Sequence, residues 1–184
     1  MKKGVFLSFA AASAVLSWMC FGCGGAQKDV AADEPTEIAP SNEADQLMGQ
    51  AGMALSDGDT QGALAAYLAA ADIYDKSGQV TIDRAEAHFL AADLAYQLGE
   101  RETAIEEYEK SVEIYMRFTG NSRIKAANAL NNMGTIYKET QNKSRALNCW
   151  HRALEIYRNA PPELKNEANI QKIEQNIRDL ESGF

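Results

Sequence analysis

The chain has 184 residues, 46% of them hydrophobic, with 18 Lys+Arg against 26 Asp+Glu and a formal charge of -8. This is globular composition with an acidic tilt, which excludes wholesale disorder and argues against a nucleic-acid-binding face. Two His and three Cys leave little material for a catalytic or metal site, so no cofactor and no enzymatic activity are expected. In chain order, Met1–Lys3 is a short basic start and Val5–Met19 an uncharged apolar stretch, short for a membrane-spanning helix of about 20 residues.

That stretch runs into Gly22-Cys23-Gly24-Gly25. An apolar leader ending in Gly-Cys resembles the signal peptide and lipobox of bacterial lipoproteins, although Cys20 stands where that family usually has Leu. The resemblance implies removal of residues 1–22, lipidation of Cys23, and anchoring of the mature chain to a membrane of the cell envelope, the periplasmic side of an outer membrane above all. Cys20 is the poorer acceptor, because the bulky Met19 precedes it. The Cys20-x-x-Cys23 spacing is not read as a redox pair, since no strand–helix junction surrounds it. Cys149, the remaining cysteine, reads as a small half-buried apolar residue.

Residues 23–43 carry one Lys against five acids, together with Pro35 and Pro40. With Val30 and Ile38 as its large aliphatics, the segment reads as a disordered acidic tether.

From Ala44 the sequence repeats. Ala63, Tyr67, Ala70, Ile73 and Tyr74 recur as Ala104, Tyr108, Ser111, Ile114 and Tyr115, and again as Ala146, Trp150, Ala153, Ile156 and Tyr157. The copies are 41 and then 42 residues apart, and the 4, 3, 3 spacing places each set on one helical face. Leu130, Met133, Gly134 and Tyr137 form a comparable stripe in the preceding half of the third copy. Gly58 and Gly99 suit left-handed helix ends, with Asn142 expected in that role in the third copy. Helix pairs in series that cannot bury their faces alone make a solenoid.

The stretch Ala127-Asn-Ala-Leu130-Asn-Asn-Met133-Gly134-Thr-Ile-Tyr137 with Ala146, Trp150, Ala153 and Ile156 resembles a tetratricopeptide repeat. The long period is similar to the extended variety found in kinesin light chains. Copy one has Gln50-Ala51 and copy two Ala91-Ala92 where copy three has Met133-Gly134, and His88 takes the column of Leu47 and Leu130. The resemblance implies an all-α, right-handed superhelical solenoid of three helix pairs (44–84, 85–126 and 127–160). Residues 161–184 would supply a C-terminal capping helix from Glu163 to Glu181, with a stripe of Ile170, Ile173, Ile177 and Leu180.

Such arrays line a concave groove with the first helix of each pair, and by resemblance that groove takes a protein or peptide partner. The expected groove residues are Phe89, Asp93 and Tyr96 in copy two, and Asn128, Asn131, Asn132, Thr135 and Lys138 in copy three. In the extended family an Asn of the Asn131-Asn132 pair bonds the partner's backbone, since an amide donates and accepts at once. Charge is uneven: residues 44–120 carry 14 acids and 5 bases, whereas 121–160 carry 7 bases and 2 acids. Arg123, Lys125, Lys143 and Arg145 are therefore expected to form a basic docking patch. Two functions are compatible with these features. One is a lipid-anchored adaptor holding a subunit during assembly of an envelope complex, comparable in architecture to pilotin-like and outer-membrane assembly lipoproteins. The other is a self-associating structural envelope protein without peptide capture.

Overall fold

The computed structural model describes residues 40–183, and these form an all-α helical repeat. Cys20, Cys23, the apolar leader and most of the tether lie outside the described residues. Seven α-helices follow one another: α1 (Pro40–Ser56), α2 (Thr60–Ser77), α3 (Ile82–Gln97), α4 (Arg101–Tyr115), α5 (Asn121–Glu139), α6 (Lys143–Arg158) and α7 (Glu167–Ser182). No described helix is long and apolar enough to cross a membrane. Helix α1 takes in residues 40–43, which composition alone assigns to the tether; a proline is tolerated in the first helical turn, where its missing N–H has no partner to lose.

The pairs α1–α2, α3–α4 and α5–α6 are closed by the same turn. The amides of Asp59, Glu100 and Asn142 donate to the carbonyls of Ala54, Ala95 and Tyr137, five residues back, at 2.8, 2.8 and 2.7 Å. The residue before each lies in the left-handed region: Gly58 at φ 80°, Gly99 at φ 83° and Gln141 at φ 59°. This double-bonded closure satisfies two terminal carbonyls and favours glycine. Asn142 does not take the left-handed role expected of it. Gln141 holds that position, because the repeat spacing puts it in the column of Gly58 and Gly99. Asn142 instead caps α6, accepting from the Arg145 amide at 3.2 Å, as Asp59 caps α2 from Gly62 at 2.8 Å.

Each helix packs chiefly on its neighbours in the chain, and the core runs continuously through the pairs. Ala63, Tyr67 and Ala70, with the equivalent residues of α4 and α6, are buried. Size is matched across columns. Tyr67 and Tyr108 accompany Ala51 and Ala92, whereas the larger Trp150 accompanies Gly134. A Cβ on Gly134 would fall on the indole of Trp150, far inside van der Waals contact. The departures of copies one and two at this column therefore follow from the size of the facing ring. The ring at the end of each second helix is tied back to the first: Tyr74 donates to Asp45, Tyr115 to Glu86 and Tyr157 to Asn128.

The last helix begins later than its sequence pattern suggests. Pro162–Leu164 make a single 3-10 turn, and α7 starts at Glu167, where Asn166 accepts from the Asn169 amide at 3.1 Å. Ile170, Ile173 and Ile177 are buried and Leu180 is half-buried, giving α6 an apolar cover with a polar outer side.

Candidate functional site

Helices α3 and α5, the first members of the second and third pairs, are joined along one face by polar bonds that leave α5 about every two turns. Lys125 pairs with Glu86. Further along, Asn132 Nδ2 donates to Asp93 Oδ1 at 3.3 Å, and then Tyr96 Oη donates to Glu139 Oε1 at 2.6 Å. Arg101 reaches the other oxygen of Glu139 at 3.4 Å. These rungs fix the register of one repeat on the next.

The structure sorts the expected groove residues into engaged and free. Asp93 also accepts from Tyr108 Oη, and Asn132 Nδ2 lies 3.0 Å from that same hydroxyl. Burial raises the Asp93 carboxyl above the usual range, outweighing these two hydrogen bonds, and the charge of Glu86 adds to the shift. Asn128 is held by Tyr157. Phe89 is half-buried, and its ring packs edge-on against Tyr108 and Tyr115, with centroids 5.7 and 6.5 Å apart, beside the small Ala85 and Ala126. Tyr96 is half-buried against the core and bonded at its hydroxyl, which its Glu139 partner pushes up in pKa ahead of burial. Lys138 is exposed.

Asn131 differs from its neighbours. Its backbone carbonyl accepts from Trp150 Nε1 at 3.2 Å and from Thr135 Oγ1 at 3.2 Å, yet its side-chain Oδ1 is shielded and has no hydrogen-bond partner. It is the one such atom recorded among the described residues. A buried acceptor left without a donor costs about 1–3 kcal/mol.

The four residues of the expected basic patch make different contacts. Lys125 belongs to the α3–α5 rungs and lies 5.8 Å from the Tyr115 ring. Arg145 stacks over Tyr137 at 5.4 Å on the α6 side. Lys143 reaches the Glu181 carbonyl at 3.5 Å near the C-terminus, and Arg123 lines a small cleft beside Asn159. Positive charge is concentrated in residues 121–160.

Sequence reasoning missed the rung partners Glu86, Glu139 and Arg101. The column shared by Asp45, Glu86 and Asn128, polar in all three copies, was the available signal for the first. It missed as well a buried ionic cluster between the first two pairs. The His88 ring, fully enclosed, lies 2.6 Å from Glu107 Oε2 through Nδ1 and 3.1 Å from Asp75 Oδ1 through Nε2. Arg84 and Lys110 complete the cluster, pairing with Asp75 at 2.6 Å and Glu107 at 2.7 Å. Burial works to raise Asp75 and Glu107, but the hydrogen bonds and charges of His88 and these two cations leave both below their ordinary values. Cys149, in the column of Glu107, is buried, and burial lifts its thiol to about 11.

Comparison with known proteins agrees with this architecture. Residues 83–159 match the tetratricopeptide repeat family model. No curated protein matches the chain. The crystal structure of BtubC (BKLC) from P. vanneervenii is similar at TM-score 0.69 and 21% identity over 81% of this chain, which spans 59% of the length of that one. The first TPR of Spaghetti (RPAP3) bound to HSP90 peptide SRMEEVD is similar at TM-score 0.53 and 17% identity, covering 75% of this chain and 95% of that one. The Sgt2 TPR domain from Aspergillus fumigatus is similar at 0.53 and 16%, covering 81% and 88%. At these identities the likeness is one of fold.

Proposed function

We propose that this tetratricopeptide-repeat protein is a non-catalytic adaptor that holds a peptide or subunit of another protein on the face formed by α3 and α5. The observation that carries the reading is the orphaned Oδ1 of Asn131. Every other polar side chain named on the inner part of this face is satisfied within the chain. A partner backbone N–H that draws the Asn131 amide outward supplies the missing donor, and the same amide's N–H groups then meet a partner carbonyl. The solved neighbour bound to an HSP90 peptide supports peptide capture by this fold. The extended period of 41–42 residues supports the kinesin-light-chain variety of repeat.

The leader supports the remainder of the proposal: Cys23 is lipidated, residues 23–39 act as a tether, and the adaptor is anchored in the cell envelope, where it serves assembly of a complex. Two experiments test these parts separately. Asn131→Ala removes the orphaned acceptor without removing a bond, so thermal stability holds or rises while partner recovery from crosslinked envelopes falls on the order of tenfold; undiminished recovery sinks the groove reading. Palmitate labelling disappears in Cys23→Ser, and labelling that persists defeats the anchor.

A further inference from the structure

The second helices α4 and α6 flank a groove on another side of the repeat, with α5 beneath it. Its volume is about 980 Å³, and Leu130, Met133 and Tyr137 form its floor. Glu109 and Glu113 line it from α4, while Arg145 and Arg152 line it from α6. The walls thus carry opposite charge. Among the described residues no ion pair crosses between them: Glu113 pairs with Arg117 of its own helix at 3.0 Å, and Arg145 lies over Tyr137.

The equivalent cleft between α2 and α4 shows what a closed version looks like. At the four positions one repeat earlier, Met116, Leu130, Cys149 and Arg152 correspond to Asp75, His88, Glu107 and Lys110. Those four are bonded to each other in a chain of 2.6–3.1 Å contacts, so charge and hydrogen-bonding capacity are consumed inside the protein. In the later cleft three of the positions are apolar, and among the described residues the surviving cation, Arg152, has no acid within ion-pair distance. A smaller cleft of about 220 Å³ shares Met116 and Arg152 with the groove and extends it to Asn159. From Ser144 to Asn159 the α6 wall rises about 22 Å, or four helical turns.

We infer that the α4–α6 groove docks an amphipathic helix of a partner protein, with Lys or Arg along the flank facing Glu109 and Glu113, Asp or Glu along the flank facing Arg145 and Arg152, and apolar anchors between. The α4 wall, from Glu109 to Met116, is about two turns long and the α6 wall about four, and helical walls favour a third helix in the furrow over an extended strand. The apolar floor takes the anchors. The opposed charges fix the direction of the helix, since a helix laid in backwards presents each flank to a wall of its own sign. The surface is distinct from the α3–α5 face, so one adaptor can hold two segments at once.

The test uses three synthetic 18-residue helices sharing one Leu stripe: Lys on one flank and Glu on the other, Lys on both, or Glu on both. Affinity for the full-length chain is read by fluorescence anisotropy. The mixed peptide is expected to bind on the order of tenfold tighter than either control. Glu109→Lys/Glu113→Lys moves the preference to the all-Glu peptide, and Arg145→Glu/Arg152→Glu moves it to the all-Lys peptide. All four positions are exposed, and an unchanged melting curve shows that the variants fold. Absence of binding, equal affinities for the three peptides, or a ranking that ignores the charge reversals overturns the inference. Loss of mixed-peptide binding in Asn131→Ala overturns it too, because the peptide then sits on the other face.

Discussion

Trp150 and Gly134 are in contact across α5 and α6, and the indole Nε1 continues past the glycine to the carbonyl of Asn131 at 3.2 Å. Ring and missing side chain form one unit. Gly134→Ala pushes the ring off its bond and costs about 1–3 kcal/mol in urea unfolding. Trp150→Tyr added to Gly134→Ala restores the Ala–Tyr combination of the first two repeats, so the double variant is more stable than Gly134→Ala alone.

Gln141 pays for a backbone conformation that the first two repeats assign to glycine. Its φ of 59° carries a Cβ penalty that Gly58 and Gly99 avoid. Gln141→Gly stabilises the chain by about 0.5–1 kcal/mol in the same assay, with the helical signal unchanged.

His88 and Glu107 stand in the columns of Leu47 and Ala66 and of Leu130 and Cys149. His88→Leu strands the buried Glu107 with Lys110 alone and costs about 3 kcal/mol. His88→Leu/Glu107→Ala reproduces the first repeat's pair and recovers most of that loss. The cluster also sets an acid limit. Asp75 and Glu107 titrate lower in the folded chain than in the unfolded one, so their stabilisation is fully present above the ordinary carboxyl range. It is lost as pH falls through the depressed folded values, and chemical denaturation between pH 7 and pH 3 reads that decline.

Asp93 behaves in the opposite sense. Its folded value is raised, chiefly by burial, so ionisation at neutral pH opposes folding and protonation relieves it. Asp93→Asn keeps an acceptor for Tyr108 and Asn132 without the charge. The variant is more stable than the parent at pH 7, and the difference vanishes once pH falls below the unfolded carboxyl value.

The repeat was legible in the sequence because its columns obey a helical period: Ala63, Tyr67 and Ala70 and their counterparts are buried as the spacing requires. Turn chemistry was legible wherever glycine announced it, and at Gln141 the spacing was a better guide than residue type. Contacts between repeats were not legible. Lys125 and Arg145 are both basic, yet one bonds Glu86 of α3 and the other stacks on Tyr137 of α5, a distinction set by how the helices cross. Asn131 and Asn132 are adjacent, but one helical step of about 100° separates an orphaned oxygen from a rung. The starting point of α7 depended on the side-chain cap of Asn166, which the proline pair at 161–162 concealed.

Packing confined mainly to chain neighbours has a kinetic consequence. Contacts of short sequence separation close small loops, so low contact order favours rapid folding that can begin in any pair and spread outward. Stability then grades along the array instead of being shared. The last described helix α7, leaning chiefly on α6, opens before the interior pairs, and protection of the amides from exchange climbs from that end inward.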